Sequence, residues 1–159
     1  MTRILSLAAA YVFSTANEWF WHRYLFLFHG LGRKKGGPAS FHLHEHHPRA
    51  RANGGVDIAF DSWRFKMNPE GGPHNGRMVE CLGLAALGVL YLPTVVFFPW
   101  FYLGILLHGA VYHLIHRRSH LNPEWCRERL PWHWKHHMEN PHKNYCVTSN
   151  WFDRLVGTT

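Results

Sequence analysis

The sequence predicts an all-α fold: an integral membrane helical bundle, built from a first span and a helical hairpin, beneath a His-rich cytoplasmic helical cap. Three observations predict it. Apolar residues, 47% of the 159, gather into two long runs instead of spreading along the chain. The 15 histidines recur at helical spacings. The 17 Lys and Arg, against 10 Asp and Glu, cluster between and after the apolar runs and leave their tips almost bare. The length suits one domain, residues 1–159. The apolar content excludes a disordered tail. Cys81, Cys126 and Cys146 form no CxxC pair, which excludes a disulfide scaffold and a Cys-based zinc ribbon.

The first apolar run, Ile4 to Phe28, is interrupted only by Ser14, Thr15, Asn17, Glu18, His22 and Arg23. It continues well past the length of a signal-peptide core, so it reads as a retained span. The segment from Gly30 to Phe41 is a Gly-rich, basic loop. Residues 48 to 75, with Gly54-Gly55 and Gly71-Gly72-Pro73, read as irregular or interfacial. Cys81 to Leu107 contains no charge and no histidine. That exceeds the roughly 20 residues of one span. Pro93 and Pro99 break it into a hairpin: a helix from about Asn75 to Leu92, a turn over residues 93–99, and a return helix from Trp100 to His120. The uncharged, aromatic turn suits lipid better than water. Asn122-Pro123-Glu124 is a helix start. A further helix is expected from Trp132 to Glu139, and the tail from Asn144 to Thr159 is too short to fold alone. There is no internal repeat.

Eight basic residues lie between the first span and the hairpin (Arg33, Lys34, Lys35, Arg49, Arg51, Arg64, Lys66 and Arg77) and seven follow His116. The hairpin turn has none. The positive-inside rule places both basic segments in the cytoplasm. The net +7 is thereby explained by orientation and anionic headgroups, and no nucleic-acid module is present. The excess of Trp and Tyr reads as an interfacial belt.

The histidine spacing carries the chemistry. His133, His136 and His137 fall within an arc of about 100° on a helix. His116 and His120 are i, i+4, with His113 one turn earlier. Glu18, His22 and His29 share one face of the first helix. His42 and His46 are i, i+4, with His47 adjacent and His44 between. Imidazole suits Fe, Zn, Cu and Ni. Some ten imidazoles exceed the four positions of one structural zinc but match two ions. The soluble di-iron bundles rely on Glu and Glu-x-x-His, whereas Glu18, Glu45 and Glu139 are the few carboxylates near these clusters. An all-His two-metal centre follows. Glu18 either accepts the second ring N–H of His22 or pairs with Arg23 or another base. Asn144 and Asp153 order the tail beneath the metal site or serve as caps. His108 points away from His113 and is not a ligand, and His74 and His142 are surface residues.

The ordered boxes resemble the membrane di-iron fatty acid hydroxylase/sterol desaturase superfamily, which includes small carotenoid hydroxylases. His116-Arg-Arg-Ser-His120 matches its HxxxH box, and His133-Trp-Lys-His136-His137 its last HxxHH box. The stretch from Asn144-Tyr-Cys to Trp-Phe-Asp153-Arg-Leu-Val-Gly157-Thr158 is similar to its tail, with Cys146 where Gly is usual. The first box, His22-x6-His29, is longer than the usual pattern, and the second, His42-x-His44-x-His46-His47, is not HxxHH. The match is most specific over residues 112–158.

The resemblance implies a dinuclear iron centre, with zinc able to substitute in a preparation, and O2 as co-substrate. The implied metal ligands are His22, His29, His42, His46, His47, His116, His120, His133, His136 and His137. His44, His113, Glu18 and Asn144 are reserve ligands or neighbours of the ligands. The implied reaction is hydroxylation or desaturation of a fatty acyl, sterol or carotenoid lipid, with electrons from an external donor. Two other readings stand beside it: a two-metal hydrolase or isomerase on the same scaffold, and a membrane metal-binding protein without turnover. The sequence specifies no oligomeric state.

Overall fold

A computed structural model describes residues 2–26, 40–61 and 76–159. Every regular element among these residues is helical. His29 and His74 lie outside them.

Helix α1, Arg3–Phe20, starts on Thr2, whose hydroxyl accepts the Leu5 N–H at 3.3 Å. It passes without a break into a π-helical turn, Trp21–Phe26, which carries His22. A second π-helical segment, His42–His46, leads into α2, His47–Ala52, with Pro48 in its first turn. The expectation of irregular chain from residue 48 is therefore corrected over 48–52. Proline fits a helix start because the N–H it lacks has no partner there anyway. A short 3₁₀ turn, Ile58–Phe60, follows, and the Asp57 carboxylate caps it.

The hairpin forms as the prolines predict. Helix α3, Gly76–Tyr91, runs into a 3₁₀ turn, Leu92–Val96, and α4, Pro99–Leu121, returns with Pro99 in its first turn. The Thr94 hydroxyl donates to the Tyr91 carbonyl at 2.7 Å and closes the turn. Asn122 caps α5, Pro123–Arg129, by accepting the Trp125 N–H at 3.0 Å. Helix α6, Pro131–Met138, carries the HxxHH box, and α7, Trp151–Leu155, ends the chain.

The main helix pair is α1 against α4. The buried positions of α1 are Ser6, Ala10, Ser14 and Thr15, all small. A Cβ placed on Gly104 of α4 would stand 2.5 Å from Ala10 Cβ, so the two backbones meet at glycine distance. The outer faces of α1, α3 and α4 present large apolar side chains outward, among them Ile4, Leu82, Val89 and Leu114, and so does the hairpin turn with Val96 and Phe97. Among the described residues one segment, Gly76–Val96, is long and apolar enough to cross a membrane. The other two long helices carry polar residues, Asn17 and Glu18 on α1 and four histidines on α4.

The tail is tied back onto α1. Glu18 accepts the backbone N–H of Val147 and of Thr148 (2.9 Å), and the Thr148 hydroxyl at 2.7 Å. The buried Asp153 carboxylate accepts the N–H groups of Tyr145 and Cys146 at 2.9 and 2.8 Å. Trp19 donates to the Thr158 hydroxyl at 3.0 Å. This explains how a short tail folds: its own Asp153 closes it, and Glu18 and Trp19 of α1 hold it down.

Candidate metal centre

Where the helices end on the cap side, nine of the histidines among the described residues converge. Two groups form, each of four rings whose ligating atoms lie within 4.8 Å of one another: His22, His42, His47 and His136; and His46, His116, His120 and His137. A metal–imidazole bond is about 2.0–2.1 Å, so opposite ligands on one ion stand about 4 Å apart. Both groups are on that scale. In the first group the Nε2 atoms of His22 and His42 are 2.7 Å apart, those of His42 and His47 3.1 Å, and those of His47 and His136 3.2 Å. In the second, His116 and His120 Nε2 are 3.2 Å apart, and His133 Nε2 adjoins at 3.3 Å from His120.

The two groups interlock through consecutive residues. His47 belongs to the first and His46 to the second; His136 belongs to the first and His137 to the second. The His47 and His137 rings stack across the boundary with centroids 4.3 Å apart.

Helix α6 does what its spacing predicts and turns all three of its histidines inward, with His133, His136 and His137 at most 2% exposed. The second box does not pair as an α-helix would. The i, i+4 expectation joined His42 to His46. The π winding instead brings His42 to His47, five residues on, and sends His46 into the other group.

Several rings are anchored from behind. His46 Nδ1 meets Asp57 Oδ2 at 2.7 Å, and His116 Nδ1 meets Glu80. His120 Nδ1 meets the Gly55 carbonyl at 3.1 Å, and His136 Nδ1 the Lys143 carbonyl at 2.7 Å. These partners accept and cannot donate, so in the neutral rings the proton sits on Nδ1 and the lone pair on Nε2. The Nε2 atoms of His116 and His120 then face each other, lone pair against lone pair. Burial holds the rings of the cap neutral: His42, His46, His47, His133 and His137 well below the ordinary imidazole range, and His136 at about 4. Both ring nitrogens of His137 and the Nε2 of His46 are buried without a hydrogen-bond partner. Orphaned polar atoms in a dry site are costly. A cation in the second group would satisfy His46 Nε2 and one nitrogen of His137, and in either group it would take the place of close Nε2–Nε2 contacts, so the donor set fits divalent metal.

The remaining candidates lie outside both groups. His113 Nδ1 bonds Glu80 Oε1 at 2.7 Å. His44 is half-buried beside Glu45 in the π segment. Glu18 is not the partner of His22; of the expected alternatives it pairs with another base than Arg23, accepting His108 Nε2 at 3.2 Å besides holding the tail. Asn144 sits in the left-handed region, φ 56°, where its N–H reaches the Thr158 carbonyl at 2.7 Å. That turn presents the preceding carbonyl, of Lys143, to His136. Asp57 and Glu80 were missed at the sequence level. Glu80 carried one signal, a lone carboxylate at the edge of an uncharged run; Asp57, in a glycine-rich segment, carried none.

A cavity of about 450 Å³ lies between α1, α3 and α4. Its walls are largely apolar, with Phe13, Leu84 and Leu87 among them, and it reaches His22 and His42 of the first group and His116 of the second. No protein-family model, curated protein or solved structure matches the chain.

Proposed function

We propose that this chain is a membrane-bound, O2-dependent oxidoreductase in which two His-ligated irons hydroxylate or desaturate a lipid, as the histidine boxes of the hydroxylase/desaturase superfamily imply. One observation carries the reading: a mostly apolar cavity of about 450 Å³ ends on rings from both histidine groups. That volume is in the ordinary range of small-molecule sites, roughly 300–1,000 Å³.

His22, His42, His47 and His136 hold one ion, and His46, His116, His120 and His137 the other, with His133 adjoining the second. Bound iron supplies the redox chemistry with O2 that a zinc ion cannot. The protein supplies the rest. Asp57, Glu80 and the Gly55 and Lys143 carbonyls keep Nε2 deprotonated and aimed inward. The near-complete burial of the rings keeps bulk water out. The cavity walls orient a hydrocarbon segment so that one C–H lies against the ring cluster. The lipid enters from the bilayer around α1, α3 and α4, whose outward faces are apolar. The basic cap lies in the cytoplasm, where an external donor delivers electrons.

The test has two readouts. Chain purified anaerobically with iron should hold close to two metals, and His136→Ala should lose metal. Lipids extracted from a host expressing the chain should contain an oxygenated or desaturated species that the His136→Ala host lacks. Metal content below about one per chain, or unchanged in His136→Ala, refutes the centre. Full metal with unaltered lipids and no O2 uptake in the presence of a reductant favours a metal-binding protein without turnover.

A further inference from the structure

The cavity follows one stripe of α3. Glu80, Gly83, Leu84, Leu87, Gly88 and Tyr91 all line it, and their spacing of three and four residues is that of a single helix face. Glu80 stands at one end of the stripe, bonded to His116 of the second histidine group. Tyr91 stands at the other end. On α1 the lining runs from His22 of the first group back to Phe13.

Side chains from three helices shut the end away from the histidines. The Tyr91 hydroxyl donates to Asn17 Oδ1 at 2.6 Å and ties α3 to α1. Trp21 Nε1 donates to the same oxygen at 3.1 Å, and Asn17 Nδ2 donates to the Phe13 carbonyl at 3.0 Å. The Phe13 ring packs edge-on against Tyr91 and tilted against Phe101 of α4, with centroids 5.3 Å away in each case. Helices α3 and α4 close at the same level: the Tyr102 hydroxyl donates to the Gly88 carbonyl at 3.1 Å, and a Cβ on Gly88 would stand 3.4 Å from Leu106. Gly83 is the opposite case. It lies on the same face but nearer the histidines, and a Cβ there meets nothing within 4 Å.

The helices measure the passage. From Glu80 to Tyr91 the rise is about 16 Å, and from His22 back to Phe13 about 13 Å. An extended covalent chain advances about 1.1–1.2 Å per bond, so roughly ten to twelve carbons fit between the rings and the aromatic floor. Leu84, Leu87 and Leu106 border that stretch, and its Glu18 and His108 bond each other. A polar headgroup would lose its hydration there, so the hydrocarbon end of a lipid meets the floor.

Resting on the lipid reading above, we propose that Phe13 and Tyr91 are specificity-determining residues. Their rings close the passage and set how many carbons lie between the carbon held at the histidines and the methyl end of the chain. Gly83 keeps the passage open one turn below the rings.

The experiment reads binding, not turnover. Full-length chain is kept anaerobic in micelles of a steroid-based detergent, which has no linear chain to compete. Its unfolding midpoint is measured with straight-chain primary alcohols of ~6 to ~18 carbons, each at the same fraction of its solubility, since a ligand of the folded state raises the midpoint. In the wild type the stabilisation should grow with chain length and stop growing at roughly ten to twelve carbons. Phe13→Ala should move that limit out by about 2–4 carbons, the length of the ring removed. Tyr91→Leu lowers the floor from α3, so the limit is still read if Phe13→Ala loses helicity. Gly83→Leu should unfold like the wild type without alcohol and lose the stabilisation by every alcohol. The same limit in the wild type, Phe13→Ala and Tyr91→Leu, or undiminished stabilisation of Gly83→Leu, overturns the proposal and leaves a lipid site of another shape. No stabilisation of the wild type at any length overturns it together with the lipid reading, and leaves the metal centre to its own test.

Discussion

Glu18 shows how a single residue can look like one thing in sequence and act as another. A carboxylate inside an apolar helix, four residues before His22, suggests a partner for that ring. In the structure it is 4% exposed and accepts from two backbone N–H groups and a hydroxyl of the tail and from His108 of α4. It is the pin that holds residues 147 and 148 against the bundle. Replacing it by Gln puts an N–H₂ where an acceptor is needed and strands buried donors, each worth about 1–3 kcal/mol. Glu18→Gln should therefore lower the thermal unfolding midpoint in micelles and open the tail to protease. Metal content should fall less than in His136→Ala, because no ring loses its anchor. Asp153 was legible as a residue that orders the tail, but the pairings with Glu18 were not, because they span about 130 positions and no local pattern encodes such a contact.

Helix spacing made the α-helical parts of the centre legible and failed where the winding changed. The arc of about 100° per residue places His133, His136 and His137 on one face of α6, and they are buried together. The same arithmetic mispairs the second box, because a π segment needs five residues, not four, to return to a face. Nothing in His42-Leu-His-Glu-His46 announces that winding. Packing at the element scale rests on smallness. Ser6, Ala10 and Ser14 recur every four residues on α1, and Gly104 of α4 lies against Ala10. Gly104→Leu should force the helices apart and destabilise the protein by about 1–3 kcal/mol, the usual cost of overpacking. The check is the unfolding midpoint set against Gly83→Leu, where a Cβ meets nothing within 4 Å.

For the whole molecule, the cluster of buried neutral rings ties stability to pH. His136 is held at about 4, and His42, His46, His47, His133 and His137 well below 6.5, in each case mainly by burial. The unfolded chain takes up protons near 6.5 that the folded chain refuses. Their contribution is thus fully present above about pH 6.5 and is lost as the pH falls towards 4. The metal-free protein should unfold ever more readily between pH 7 and 5, with net proton uptake on unfolding. Bound metal should move that loss to lower pH, since it competes with protons for the same nitrogens. Denaturant titrations at a series of pH values, with and without Co(II), read both effects.

The two His-His dipeptides have a further consequence at this scale. Each places one ring in each group, so the groups are joined by covalent links at two opposite points. Consecutive Cα atoms stand 3.8 Å apart whatever surrounds them. The two groups therefore cannot part further than two imidazole side chains on neighbouring Cα atoms can reach.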